Sequence, residues 1–151
     1  MMSSADKVAG QGVGGAYFEL MNLLQNRAKD ELKITKTLRA KNPDITHFHT
    51  IDPHFYLAAH FKKYTGRRIG YVHLIPDTLD GSLDMPAIAE KIVKKYLIKF
   101  YDKMDHLVVV NPDFKEELVK IGIDREKITY IPNFVAKDKW SPLSKEEREE
   151  F

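Results

Sequence analysis

Four short apolar runs, at residues 45–49, 69–73, 107–110 and 127–131, constrain this chain more than any other feature. Each has strand-forming β-branched or aromatic residues and stops at a polar residue or a proline. Helix-patterned segments fill the gaps. Pro53 suits the first turn of a helix running to Tyr64 and stopped by Gly66. Pro86 opens a long helix to Met104, and Asn111-Pro112 reads as an N-cap with proline at the first helical position of a helix ending near Gly122. Strand and helix alternating in this way predict an α/β fold: a Rossmann-like parallel sheet with helices on both faces.

The amino-terminal part is less regular. Residues 1–9 are too short and polar to make a first strand. Gly10-Gln-Gly-Val-Gly-Gly15 reads as a glycine-rich turn that opens a helix, because Tyr17, Leu20, Met21 and Leu24 recur at helical spacing. Leu32 to Ile34 reads as a short edge strand. The 151 residues, 43% of them hydrophobic, suffice for one core and leave no room for a second complete domain.

Composition excludes several function classes. No cysteine is present, so disulfide frameworks and thiolate metal sites are out, in agreement with a reducing compartment. A net charge of +2 does not imply nucleic acid. The start of the chain lacks the basic and apolar regions of a leader, and no apolar run approaches the roughly 20 residues that span a bilayer. Membrane contact is therefore expected to be peripheral.

Three places offer chemistry. Gly10, Gly12 and Gly15 satisfy G-x-G-x-x-G, but a dinucleotide site also needs a preceding strand and an acid at the end of the next one. Neither is present, which leaves a flexible turn or a phosphate or sugar contact at a helix N-terminus. His47, His49, Asp52 and His54 form the densest cluster of metal-capable residues. An H-x-H on a strand puts both imidazoles on one face, but Asp52 and His54 come too late for the usual zinc pattern. No metal is expected, and polar residues at a strand end facing a cleft is the better reading. His73 ends its strand with no triad partner nearby in sequence. It is either a structural histidine or the best single candidate for chemistry, since ligands bind outside the carboxyl ends of such strands.

The helix over 86–104 divides by face. Ala89, Val93, Leu97, Phe100 and Met104 make one stripe for the sheet. Lys91, Lys94, Lys95, Lys99 and Lys103 lie broadly opposite, with Ile88, Ile92 and Ile98 among them. A solvated face has no need of isoleucine, and lysine interleaved with exposed apolar side chains suits an anionic membrane surface.

Three segments carry a family resemblance: Ser3-Ser-Ala-Asp-Lys-Val-Ala-Gly-Gln-Gly-Val-Gly14, Tyr71-Val-His-Leu-Ile-Pro-Asp-Thr-Leu-Asp-Gly-Ser-Leu83 and Ile128-Thr-Tyr-Ile-Pro-Asn-Phe-Val135. Together they resemble the amino-terminal half of GT-B glycosyltransferases, in particular the retaining family-4 group. Within it the chain is similar to bacterial enzymes that glycosylate diacylglycerol or glucosyl-diacylglycerol. The resemblance implies two Rossmann-like domains facing across a cleft, the first binding acceptor and membrane and the second most of the nucleotide-sugar.

By that resemblance, Gly12, Gly14 and Gly15 approach the donor diphosphate, and His73 contacts the transferred sugar. His49, Asp52 and Asn111 are the candidates for acceptor binding. Residues 1–133 would be the acceptor and membrane domain, and 134–151 a linker and the start of a missing carboxy-terminal donor domain. The implied partners are a UDP-hexose, a lipid acceptor and an anionic membrane. The UDP-sugar is a co-substrate, and no other cofactor is implied. The implied place is the cytoplasmic face of the cell membrane. Three departures stand out: the family's first strand is almost missing, Ala136 stands where aspartate is common, and no two glutamates are separated by seven residues. The expectation is a half-enzyme unable to transfer sugar alone. Its rivals are a non-catalytic basic membrane module, and a glycosyltransferase with a soluble or polysaccharide acceptor.

Overall fold

The computed structural model describes residues 1–4, 12–36, 42–79 and 86–134. Strands β1 (Ile45–Phe48), β2 (Arg67–Val72), β3 (His106–Val109) and β4 (Ile128–Tyr130) form one sheet in that order, every neighbouring pair parallel. The helices are α1 (Gly12–Arg27), α2 (Pro53–Ala59), α3 (Lys62–Thr65), α4 (Ala87–Asp102) and α5 (Pro112–Lys120). The architecture is the expected Rossmann-like α/β one.

Strand order equals chain order, so successive right-handed crossovers place their helices on the same side of the sheet. Register makes that side explicit. Phe48 lies opposite Gly70, Gly70 opposite Leu107 and Leu107 opposite Ile128, while Val72 lies opposite Val109. These residues pack with Phe55 and Ala59 of α2, Leu97 and Phe100 of α4, and Leu118 of α5 in one apolar core. Each fully buried large side chain there contributes about 1.5–3 kcal/mol. Gly70 is required by this packing, since a Cβ on it would come within 2.8 Å of both Leu107 and Met104. Tyr96 and Tyr101 of α4 also turn inward, and their hydroxyls donate to the carbonyls of Ile51 and Leu74.

Arg68 fastens the lower edge of the sheet. Its guanidinium grips both carboxylate oxygens of Asp105 at 2.8 and 2.9 Å, and Nη1 donates to the Ala59 carbonyl at 2.9 Å. That charge-assisted pair holds the Asp105 carboxyl well below the usual carboxylate range.

Several expectations need correction. Residues 32–34 are not a strand: the Leu32 N–H donates to the Ala28 carbonyl at 2.8 Å, so its donor is used in a helix-terminal turn. The predicted helix from Pro53 to Tyr64 breaks after Ala59. Phe61 is non-helical (φ −104°, ψ 76°), and the break leaves the Ala59 carbonyl available to Arg68. The break also buries Thr65, whose carbonyl accepts from Thr46 Oγ1 at 2.7 Å. Gly66 does stop the chain there, with φ +61° and the Pro43 and Asp44 carbonyls where a Cβ would be.

Gly12, Gly14 and Gly15 lie inside the first turn of α1 rather than in a turn before it, because that helix begins four residues earlier than its apolar spacing suggests. Gly10 lies outside the described residues. The first strand reduces to one parallel bridge between Met2 and Phe48, but Met2 is buried in the core. Beyond Phe134, the expected linker and tail lie outside the described residues, as does Ala136.

Candidate functional site

Residues two apart on a strand share a face. His47 and His49 leave the end of β1 on the face away from α4, and Tyr71 and His73 leave the end of β2 on the same side. Their rings form a continuous cluster. His49 stacks on Tyr71 with centroids 4.7 Å apart and planes at 19°. His47 lies 4.5 Å from His49, and His73 lies 4.8 Å from Tyr71 and 6.0 Å from His49. Helix α1 covers them, with Tyr17 edge-on to His49 at 5.0 Å.

His49 is only 2% exposed. Both of its ring nitrogens are buried without a hydrogen-bond partner among the described residues, as are Nε2 of His47 and Nε2 of His73. An unpaired buried polar atom costs about 1–3 kcal/mol, so four in one cluster call for partners from outside the described residues, whether chain, water or ligand.

Burial depresses all three imidazoles: His47 to about 4, His49 to about 2 and His73 to about 4. Mutual repulsion adds to this for His47 and His49, and the Met1 amino group presses further on His47. All three are neutral at neutral pH. A neutral imidazole offers one N–H donor and one acceptor, which suits a hydroxyl. It supplies no positive charge for a diphosphate.

The other expected site residues fall around this cluster. Asp52 follows β1 and accepts from Ser4 Oγ at 2.8 Å and from Thr50 Oγ1, which ties the amino-terminal segment to the strand end. Asn111, beyond β3, caps α5 by accepting from the Asp113 N–H at 3.0 Å. That capping bond fixes the side-chain oxygen of Asn111 and leaves its amide NH2 as the group that could face a ligand. Gly12 and Gly15 have open space where a Cβ would be, while Gly14 is buried. Their turn leads directly to Tyr17 over His49, so the N-terminal turn of α1 and the neutral imidazoles lie within one region. Sequence reasoning missed Tyr71 and Tyr17. The signal for Tyr71 was present, because it stands two residues before His73 on a strand as His47 does before His49.

His54 is exposed on α2, turned against Phe55 with ring centroids 4.1 Å apart. Among the described residues, no three histidine or carboxylate side chains are arranged to hold a metal ion.

Helix α4 presents a different surface on the other side of the sheet. Ile88 and Ile92 are 77% and 65% exposed, flanked by exposed Lys91, Lys95 and Lys99. Three expected members depart from this face. Ile98 is half-buried, because a rotation of about 100° per residue carries it to the flank. Lys94 is drawn aside to Glu90 at 3.0 Å. Lys103 lies just past the helix end and is half-buried. Among the described residues no helix is long and apolar enough to cross a membrane.

Comparison with known proteins bears on this geometry. Residues 3–139 match the family model described as Glycosyltransferase Family 4. The chain is also similar to an alpha-galactosylglucosyldiacylglycerol synthase of Streptococcus pneumoniae (strain ATCC BAA-255 / R6), 58% identical over 147 residues. That alignment covers 97% of this chain and 39% of the relative, so the chain spans well under half of its length. No solved structure matches. A parallel sheet with polar aromatic residues at its strand ends, matched by the family model over nearly its whole length, places this chain in glycosyltransferase family 4.

Proposed function

We propose that this chain is the acceptor-side, membrane-docking half of a retaining glycosyltransferase that moves a hexose from a UDP-sugar to a diacylglycerol-type lipid. The observation that carries the reading is the outward face of α4, with Ile88 and Ile92 exposed between lysines. Helix α4 starts from the carboxyl end of the sheet, so both isoleucines sit toward the edge where β2 delivers His73. A lipid acceptor held by this face would have its headgroup close to the strand ends. The relative's name as a diacylglycerol glycolipid synthase supports the same substrate class.

Residue roles follow from the chemistry. Neutral His73 hydrogen-bonds a hydroxyl of the transferred sugar. The N-terminal turn of α1, through Gly12, Gly14 and Gly15, meets the donor diphosphate with backbone N–H groups. His49 and Asp52 border the acceptor. The second half of the active site belongs to a donor domain beyond this chain, and the chain alone transfers no sugar. The enzyme works peripherally on the cytoplasmic face of the membrane.

Co-sedimentation with liposomes tests this. Vesicles with anionic lipid should pellet the chain, increasing salt should release it, and Lys91→Gln with Lys95→Gln and Lys99→Gln should abolish the effect. If all vesicles leave the protein in the supernatant, the lipid acceptor is abandoned and a soluble-acceptor glycosyltransferase becomes the reading.

A further inference from the structure

The break between α2 and α3 leaves a surface that neither the sheet nor the histidine cluster uses. Leu57, Phe61 and Tyr64 are 63%, 53% and 60% exposed. The Phe61 and Tyr64 rings stand 6.4 Å apart over a shallow cavity of about 230 Å³ lined with Ala58 and Thr65. Exposed Lys62, Lys63 and Arg67 surround them. Residues 53–68 contain no aspartate or glutamate at all. The nearby acids are Asp44 and Asp105, and Asp105 is held by Arg68 with a longer 3.6 Å contact to Lys62.

Helices of seven and four residues gain little from their own hydrogen bonds, so intrinsic helix stability does not explain why Leu57 of α2, Tyr64 of α3 and Phe61 between them stand in water. Aromatic rings with lysines beside them match a bilayer interface: the rings enter the headgroup layer while the cations stay at the phosphates. Helix α2, which carries Leu57, also packs on α4. Tyr56 of α2 packs edge-on to Tyr96 of α4 at 5.5 Å, and both helices cover the same face of the sheet.

We propose that the α2–α3 break is a second membrane contact, with Leu57, Phe61 and Tyr64 entering the interface of an anionic bilayer and Lys62, Lys63 and Arg67 meeting its phosphates. It rests on the reading of α4 as a membrane face and extends it: two separated contacts fix the tilt of the domain, where one helix would leave it free to roll. A defined tilt holds the strand ends at one height above the bilayer.

Site-specific tryptophans separate the two contacts. The single tryptophan, Trp140, is first replaced by phenylalanine. Phe61→Trp and Ile88→Trp are then made separately and mixed with vesicles of brominated phosphatidylglycerol and phosphatidylcholine. Emission from position 61 should shift to the blue and be quenched by the brominated lipid. The triple variant Leu57→Ser, Phe61→Ser, Tyr64→Ser should lower the partition coefficient by about tenfold or more, with its melting temperature unchanged. Quenching at 88 with water-like emission at 61 overturns the second contact and leaves the α4 reading standing. Quenching at neither position overturns both. A response at 61 to single-stranded DNA but not to vesicles assigns the patch to nucleic acid and also overturns the proposal.

Discussion

The two faces of the sheet are built from the same strands and differ in almost everything else. Toward α2, α4 and α5, β2 presents Gly70 and Val72 and β3 presents Leu107 and Val109, in a core where Phe48, Phe100 and Tyr101 are each 1% exposed. Toward α1, the same β2 presents Tyr71 and delivers His73 just past its end, beside His47 and His49, with four ring nitrogens lacking partners among the described residues. Alternation along a strand makes this possible, because odd and even residues answer to different selective demands. One face supplies cohesion. The other gathers uncharged imidazoles whose ring nitrogens lack partners among the described residues, a chemistry suited to a hydroxylated ligand.

The contrast can be broken most forcefully from the dry side. Phe100 is 1% exposed and contacts the rings of Phe48, Tyr56 and Tyr101. Phe100→Ala should cost about 3–5 kcal/mol, read as a large fall in the urea midpoint at unchanged slope. A loss below about 1 kcal/mol would mean that this face is not the principal core.

Acid sharpens the comparison from the other side. The imidazoles of His47 and His73 sit at about 4 and that of His49 at about 2, against 6.5 for a free histidine. The unfolded chain therefore binds protons first as pH falls. Stability contributed by the neutral cluster is intact above pH 6.5 and is lost as pH drops from 6.5 toward 4. The slope is about 1.4 kcal/mol per pH unit for each imidazole involved. Asp105, held low by Arg68, keeps its contribution above the ordinary carboxylate value of 3.8 and loses it as pH falls below, so it enters only at the acid end of this window. Urea titrations between pH 7 and 4.5 should show the loss, and His47→Gln with His49→Gln should flatten it. An unchanged slope in the double variant would place the acid sensitivity elsewhere.

Gly70→Ala tests the same strand with a smaller change. The new methyl meets Leu107 and Met104, and both can shift only in part, so about 1–3 kcal/mol of destabilisation is expected by thermal melting. A stabilised variant would show a looser core than the contact distances imply.

How much of this was legible in the sequence depends on which force decided each element. The four strands and α4 were, because β-branched runs and a three- and four-residue apolar stripe report burial directly. The capping of α5 by Asn111 was as well. The break after Ala59 was not, since nothing local opposes a helix there. It is made by Arg68 and Thr46 reaching the freed carbonyls of Ala59 and Thr65 from distant positions. The false strand at 32–34 failed for a related reason: three residues of suitable type pair with no strand among the described residues. At the site, His73 and His49 stood out as histidines at strand ends, but their neutrality and their stack with Tyr71 depend on burial that only the assembled sheet supplies.

The smallest expected effect on folding is the most informative one for function. His73 is half-buried, and its depressed ionisation shows that the fold gains nothing from its charge. Its Nε2 has no hydrogen-bond partner among the described residues, so His73→Gln removes no described hydrogen bond at that atom. The melting temperature should move by no more than the few degrees that correspond to about 0.5–1 kcal/mol. Catalysis should respond very differently. A chimera joining this chain to the carboxy-terminal remainder of the pneumococcal relative, 58% identical over the shared part, provides the assay. If a neutral imidazole holds a sugar hydroxyl more tightly in the transition state than in the ground state, the glutamine variant should lose about 10- to 100-fold in kcat, with KM little changed. The same loss in KM alone would make His73 a residue that binds without accelerating. A variant with full activity and a markedly lower melting temperature would reverse the assignment altogether, making His73 part of the scaffold and leaving His49 and Tyr71 to carry the chemistry of this face.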